Sequence, residues 1–372
     1  MAAGHDIQPQ ALEDAERVPV KPTPQKSRKR QIVGIVIVIV IVVLTFAFVL
    51  PKIADYRDVW SVVKTLSWWQ LLLLGGSVLL NLATFAPPWM VALPGLRFLQ
   101  AFVVTQASTA STYVAPGGAA PGMAVSYAML KAWGFDSSSV ALAVAVTGVW
   151  NQLAVFGFPV VALALLTVEG DKNEALQIVG LIGLAVFALM VGFFGAMLSS
   201  DEIAFRAGEL AARVASWFKK LIRKQPVTWT GDSLVRFRQQ TIGLLRHRWH
   251  LLTAATLAGH LTVFLVLLTC VRVLGIPSSE ISGIEVFASW SLVRLLGYIP
   301  LTPGGLGVIE LGLTGLLVGF GGKQDEVVAA VLLYRFLTVV PTLILGLVSA
   351  ATWKRHRLRR PGEDDAANPA PS

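Results

Sequence analysis

The chain has 372 residues, of which 55% are hydrophobic and only 14% are charged, and its mean hydropathy is +0.66. This composition is typical of an all-α polytopic membrane protein and argues against a soluble helical domain. The net charge of +9 is concentrated at the edges of the apolar runs, so it indicates membrane topology rather than nucleic-acid binding. The single cysteine, Cys270, excludes an intrachain disulfide.

The chain begins with a polar tail that leads into an apolar run. Residues 1–30 have few large apolar side chains and predict a disordered cytoplasmic tail, which ends in the basic run Lys26-Ser-Arg-Lys-Arg30. A basic run directly before a span favours retention of the tail on the cytoplasmic side and contact with anionic inner-leaflet lipids. Residues 32–50 are mostly Ile and Val and predict a first span of about 20 residues.

Residues 68–198 contain three long apolar runs and two short ones. We predict spans at 68–93, 140–166 and 176–198, the first kinked or ended by Pro87-Pro88. The runs 98–112 and 123–133 are too short for a comfortable crossing, and they flank a Pro-Gly-Gly sequence. We treat this region as a first repeat.

A polar section, residues 199–250, separates this region from the second apolar half. Apolar residues recur at helical spacing in two stretches, one between residues 203 and 222 and one between 234 and 249, and basic residues surround both. These patterns predict two amphipathic helices on the cytoplasmic surface. They serve either as a plain interfacial linker or as a site for a partner.

Residues 251–353 repeat the arrangement of the first region. Long apolar runs at 251–274 and 327–353 predict spans, and short runs at 284–299 and 306–320 flank a second Pro-Gly-Gly. Residues 354–372 begin with a basic cluster and predict a short disordered cytoplasmic tail. The predicted membrane domain is therefore 31–353, with about six full spans and two re-entrant helix pairs.

The two Pro-Gly-Gly sequences have similar flanks. The two sequences are Tyr113-Val-Ala-Pro-Gly-Gly and Tyr298-Ile-Pro-Leu-Thr-Pro-Gly-Gly. Each begins with a tyrosine, and each is followed by an acidic turn and an Ala- and Val-rich helix. This pattern indicates an internal duplication. Proline and glycine break helices, so each copy predicts a re-entrant hairpin, the second with a helix that starts just after Pro303. A helix start inside the membrane favours anion binding.

The distribution of Lys and Arg predicts an inverted repeat. With both termini and residues 199–250 inside, only Lys52, Arg57, Lys64, Lys172 and Lys323 of the 31 basic residues fall in outside loops. The first hairpin then dips from the inside and the second from the outside. Full crossing by spans of about 15 residues is the alternative that keeps the same parity. In inverted repeats the substrate site lies near the midplane, at the repeat interface.

Arg294, Glu310 and Arg335 lie inside the apolar segments of the second repeat, whereas Arg272 and Glu285 lie near the outer surface. Because charge inside a membrane is costly, the first three residues favour either a cavity that holds an anion, with Glu310 as counter-ion or proton-linked switch, or a structural ion-pair cluster. The candidate substrate-binding residues are Pro116, Gly117, Gly118, Arg294, Thr302, Pro303, Gly304, Gly305, Glu310 and Arg335. No metal-ligand spacing is present, and we expect no cofactor.

The second motif, Thr302-Pro-Gly-Gly-Leu-Gly-Val-Ile-Glu310 followed by Ala330-Val-Leu-Leu-Tyr-Arg335, resembles the flippase-like family named for the transmembrane region of lysylphosphatidylglycerol synthase. Pro116-Gly-Gly and Met129-Leu-Lys-Ala-Trp-Gly134 are similar to its first motif. The resemblance covers about residues 68–353 and implies roles for Glu310 and Arg335. It also implies handling of aminoacylated phospholipids or of polyprenyl- or hopanoid-type lipids.

The leading hypothesis is a lipid translocator of the cell membrane that binds an anionic headgroup between its repeats. The alternative is a non-transporting membrane partner that docks a lipid-modifying transferase through residues 199–250. Few residues follow the basic cluster at Lys354, which leaves no room for the soluble synthase domain, so we expect the chain not to be a synthase. The sequence shows no His/Glu metal-ligand spacing, no nucleophile elbow and no paired carboxylates, so we expect it not to be an enzyme.

Overall fold

The computed structural model describes residues 64–115, 119–169, 174–221, 225, 227, 230–297, 303–305 and 307–356. These residues form helices and turns, with no strand among them. Five of the described helices are long and apolar enough to cross a membrane. The predicted all-α polytopic fold is confirmed. The predicted N-terminal tail, the predicted span at 32–50 and residues 357–372 of the predicted C-terminal tail lie outside the described residues.

The first half, residues 68–199, contains six helices. They are α1 (Trp68–Thr84), α2 (Pro87–Ala92), α3 (Phe98–Val114), α4 (Ala120–Ala132), α5 (Ser137–Glu169) and α6 (Glu174–Ser199). Ser67 caps α1 in a capping box with Gln70, and the predicted break at Pro87-Pro88 is confirmed, because Pro87 opens α2. Residues 116–118, between α3 and the short helix α4, are outside the described residues.

The polar section forms helix α7 (Asp201–Leu221) and the first part of helix α8 (Gly231–Val273). We predicted a second amphipathic helix separate from the span at 251, and this is wrong, since α8 runs through both for 43 residues. No proline interrupts this stretch, and its basic residues have good helix propensity, so the change from amphipathic to apolar sequence does not break the helix. At 1.5 Å per residue α8 is about 65 Å long.

The second half continues after α8 with three helices and one short turn. They are α9 (Gly283–Leu296), a 3-10 turn (Pro303–Gly305), α10 (Val308–Gly319) and α11 (Gln324–Thr352). Helices α9 and α10 have 14 and 12 residues. At 1.5 Å per residue they are about 20 Å long, shorter than the roughly 30 Å hydrocarbon core.

The two halves pack reciprocally. Helix α3 lies against α4 and α11, whereas α9 lies against α10 and α5, so the first helix of each broken pair contacts the long helix that follows the broken pair of the other half. Trp133 Nε1 donates to the carbonyl of Trp353 at 2.8 Å, and Ser282 Oγ donates to Glu169 at 3.1 Å. The close approach of α3 and α11 requires Gly346, whose position a side chain could not share with Gln106 and Ala110. The halves are therefore interlocked.

Candidate functional site

A cavity of about 1150 Å³ lies between the two halves. Its walls come from helices of both halves, α8 among them, and they combine apolar side chains with many hydroxyl and amide groups. Among the described lining residues the charged side chains are Arg294 and Arg335, and none is an Asp or a Glu. The predicted site residues Arg294, Gly304, Gly305 and Arg335 therefore share one cavity.

The second Pro-Gly-Gly forms a tight corner and not a helix start. Gly304, Gly305 and Gly307 have φ angles of 63°, 68° and 80°, a left-handed region that residues with a side chain rarely adopt. Helix α10 consequently begins at Val308, and the predicted helix start just after Pro303 is wrong. Pro303 belongs to the single 3-10 turn that precedes it.

The flanks of the two motifs meet at this corner. A Cβ placed on Gly304 would lie 2.7 Å from Cδ1 of Tyr113, the aromatic residue just upstream of the first Pro-Gly-Gly. Glycine thus permits α3 and the second motif to touch. The predicted site residues Pro116, Gly117, Gly118 and Thr302 lie outside the described residues.

Glu310 and Arg335 form a buried ion pair. Nε of Arg335 donates to Oε1 of Glu310 at 2.5 Å, and Nη2 donates to the carbonyl of Gly304 at 3.2 Å. The planar guanidinium fork can serve both acceptors at once. The second motif therefore presents a carbonyl oxygen to Arg335, and Glu310 neutralises the charge that faces the cavity, as expected of a counter-ion.

Arg294 differs from Arg335 in having no carboxylate within salt-bridge distance among the described residues. Its guanidinium carbon lies 4.9 Å from the centroid of the Trp290 ring, a cation–π contact. Its Nη1 is buried and has no hydrogen-bond partner among the described residues. Among the described lining residues, Arg294 is therefore a half-buried positive charge without an acidic partner.

Two further polar residues of the cavity were not among the predicted site residues. Thr256 and His260 are buried in α8 and line the cavity. Their spacing of four residues in an otherwise apolar stretch places them on one helix face and was the available signal.

This arrangement suits an amphiphilic anion, since an uncompensated cation and hydroxyl and amide groups face the same space as apolar side chains. A search of the curated proteins found no match. The sequence model described as "Lysylphosphatidylglycerol synthase TM region" matches residues 31–346, which is most of the chain. The chain therefore belongs to the family of the lysylphosphatidylglycerol synthase transmembrane region.

Proposed function

We propose that this multi-pass protein is a lipid translocator of the cell membrane, with both termini in the cytoplasm, that carries an anionic lipid headgroup between its two repeats. The observation that carries the proposal is Arg294, a half-buried cation without an acidic partner among the described residues, on the wall of a cavity of about 1150 Å³. A buried charge is costly unless it is paired, and the phosphate of a lipid is a suitable partner. Membership of a family tied to a lipid synthase supports a role connected with lipids.

The reciprocal packing of the halves supports an inverted repeat. If α3 and α9 correspond, as do α5 and α11, each half grips the other in the same way. Two such halves can rock against each other around a fixed site while acyl or prenyl chains stay in the bilayer. Phospholipids and polyprenyl- or hopanoid-type lipids with an anionic headgroup are the proposed substrates.

The test is translocation in proteoliposomes, measured with a fluorescent phosphatidylglycerol whose outer-leaflet fraction is quenched. Arg294→Gln should lower the rate at least tenfold, because it removes the uncompensated charge and leaves a side chain of similar polarity. Arg206→Gln is the matched control, since Arg206 is 78% exposed and pairs only with Glu202 on α7. An unchanged rate in Arg294→Gln, or no translocation of any anionic lipid by the unaltered protein, would contradict the proposal.

Arg335 is less suited to this test than Arg294. Replacing Arg335 with Ala would leave the Glu310 carboxylate buried without its partner, which destabilises the fold itself. Loss of transport in that variant would not distinguish a binding role from unfolding.

A second candidate function is that of a non-transporting membrane partner. The exposed apolar side chains of α7, among them Leu210 at 64% exposure, favour a surface that contacts lipid or another protein. Under this alternative the unaltered protein would not translocate lipid, and crosslinking from α7 would capture a lipid-modifying transferase whose activity is unaffected by Arg294→Gln.

A further inference from the structure

Thr256 and His260 form a buried polar pair inside the cavity. Thr256 is 6% exposed and His260 is 1% exposed, and both belong to the cavity wall. The hydroxyl oxygen of Thr256 and both ring nitrogens of His260 have no hydrogen-bond partner among the described residues. Buried polar atoms without partners are rare, because each loses its hydration without replacement. Three such atoms on one helix face indicate a place where a ligand supplies the hydrogen bonds.

The pair is held in position by its surroundings. The ring of His260 lies edge to face with Phe85 and Phe158, at centroid distances of 5.5 and 5.9 Å. Two residues after His260, the hydroxyl of Thr262 shares a hydrogen bond with that of Thr84 at 2.8 Å, which ties α8 to α1. The imidazole is therefore fixed, and its nitrogens have little freedom to find other partners.

The polar pair and Arg294 share one wall of the cavity. Phe158 contacts the ring of His260 and also that of Trp290, at 5.3 Å, and Trp290 carries the guanidinium of Arg294 on its face. A ligand on this wall meets a cation and a set of neutral hydrogen-bonding groups. The wall therefore offers two chemically different subsites.

The chemistry of the two subsites restricts the headgroup. A neutral imidazole and a hydroxyl each provide both donor and acceptor capacity, which matches the hydroxyl groups of a polyol. An ammonium group offers only donors, and Arg294 would repel it. No Asp or Glu in the described part of the lining is available to compensate an ammonium.

We propose that the cavity selects a headgroup that combines a phosphate with free hydroxyls, as in a glycerol or sugar phosphate, and rejects one that carries an ammonium. The phosphate pairs with Arg294, and the hydroxyls bond to Thr256 and His260. This inference rests on the proposed function for the lipid nature of the ligand. It separates this chain from a carrier of aminoacylated lipid.

The experiment measures binding to the full chain in detergent micelles by native mass spectrometry. The probes are phosphatidylglycerol, phosphatidic acid, which lacks the polyol, and lysyl-phosphatidylglycerol, which adds two ammonium groups. In Thr256→Val/His260→Phe, which keeps shape and aromatic packing, binding of phosphatidylglycerol should fall about tenfold through the lost hydrogen bonds. Binding of phosphatidic acid should stay within about twofold, since its phosphate still meets Arg294.

The matched control is Thr269→Val/His250→Phe, which makes the same two changes on α8 at residues that do not line the cavity. It should leave both affinities unchanged, and His260→Gln, which retains a donor and an acceptor, should keep most of the binding of phosphatidylglycerol. Equal losses for the two anionic lipids, or no loss, would overturn the hydroxyl subsite. Equal or tighter binding of lysyl-phosphatidylglycerol by the unaltered protein would overturn the selectivity.

Two further outcomes separate this inference from the proposed function. If soluble glycerol 1-phosphate displaces phosphatidylglycerol as effectively as the lipid itself, the subsites are supported and the lipid nature of the ligand is overturned. If the lipid is translocated but the variant shows no preference change, the proposed function is supported and the hydroxyl subsite is overturned.

Discussion

Arg335 donates from Nε to Oε1 of Glu310 at 2.5 Å, and this ion pair is buried between α11 and α10. The same guanidinium donates to the carbonyl of Gly304, so the pair also fixes the glycine corner against the last long helix. The second carboxylate oxygen, Oε2, is buried without a hydrogen-bond partner among the described residues. The pair therefore depends strongly on both of its members.

Removing one member should destabilise the protein more than removing both. Arg335→Met leaves a buried, unpaired carboxylate and should cost about 3–5 kcal/mol. In Arg335→Met/Glu310→Gln no charge is left unpaired, so the double variant should unfold at a higher temperature than Arg335→Met alone. Thermal unfolding in detergent, followed by tryptophan fluorescence, measures the coupling. Additive losses in the double variant would argue against a coupled pair.

Gly304 should not tolerate a side chain. Gly304→Ala combines a left-handed φ of 63° with a Cβ only 2.7 Å from the Tyr113 ring. The two effects should destabilise the protein by about 1–3 kcal/mol and push α3 from the corner. Gly76→Ala is the control, because Gly76 lies inside α1 with nothing within 4 Å of the new Cβ. That helical substitution should be neutral or stabilising by up to about 1 kcal/mol. Similar unfolding temperatures for the two variants would contradict the importance of the corner.

Gly346 should be sensitive for a different reason, since its backbone is an ordinary helix. A Cβ there would lie 2.9 Å from the carbonyl oxygen of Gln106 and would also overlap Ala110. Gly346→Ala should separate α11 from α3 and cost about 1–3 kcal/mol by overpacking. Gly183→Ala, at an open position of α6, should have no such effect. An unfolding temperature equal to that of Gly183→Ala would show that the two helices separate freely.

Asp136 should stabilise α5 in a pH-dependent way. Its carboxylate accepts hydrogen bonds from the backbone of Ser138 and Ser139 and from the Ser138 hydroxyl, and these bonds lower its pKa from 3.8 to about 2. Because the pKa is lower in the folded state, the stabilisation is complete above pH 4 and is lost as the pH falls through 2. The unfolding temperature of Asp136→Ala should therefore lie below that of the unaltered protein at pH 7 and 5, with a smaller gap at pH 3. If the difference in unfolding temperature did not change with pH, the charge of the Asp136 carboxylate would not be the source of the stabilisation.

The sequence predicted the parts of the fold that depend on apolar length and on helix-breaking residues. The presence of short helices around each Pro-Gly-Gly and the break at Pro87-Pro88 were predicted because apolar runs and prolines mark them in the sequence. The sequence indicated an ion-pair cluster that includes Glu310 and Arg335, and the resemblance implied a role for both. Neither specified the direct pairing, since 25 residues separate the two and no local pattern joins them.

Other features depend on tertiary packing and were missed. The continuity of α8 was hidden by a change in hydrophobicity that the backbone does not follow. The start of α10 at Val308 depends on three left-handed glycines, and sequence alone does not give the sign of φ. The place of His260 on the cavity wall follows from which face of α8 meets α5 and α9, a relation that helical periodicity in one segment cannot supply.

The length of α8 has a mechanical consequence. At about 65 Å it is about twice as long as a hydrocarbon core is thick, so an upright α8 would extend well beyond the core. Its N-terminal end is joined to α7 by the Arg238–Asp201 ion pair, and its other half carries His260. If α8 tilts as a rigid body about His260, its displacement grows with distance along the helix. Gly231 and the attached α7 would then move farther than the cavity wall.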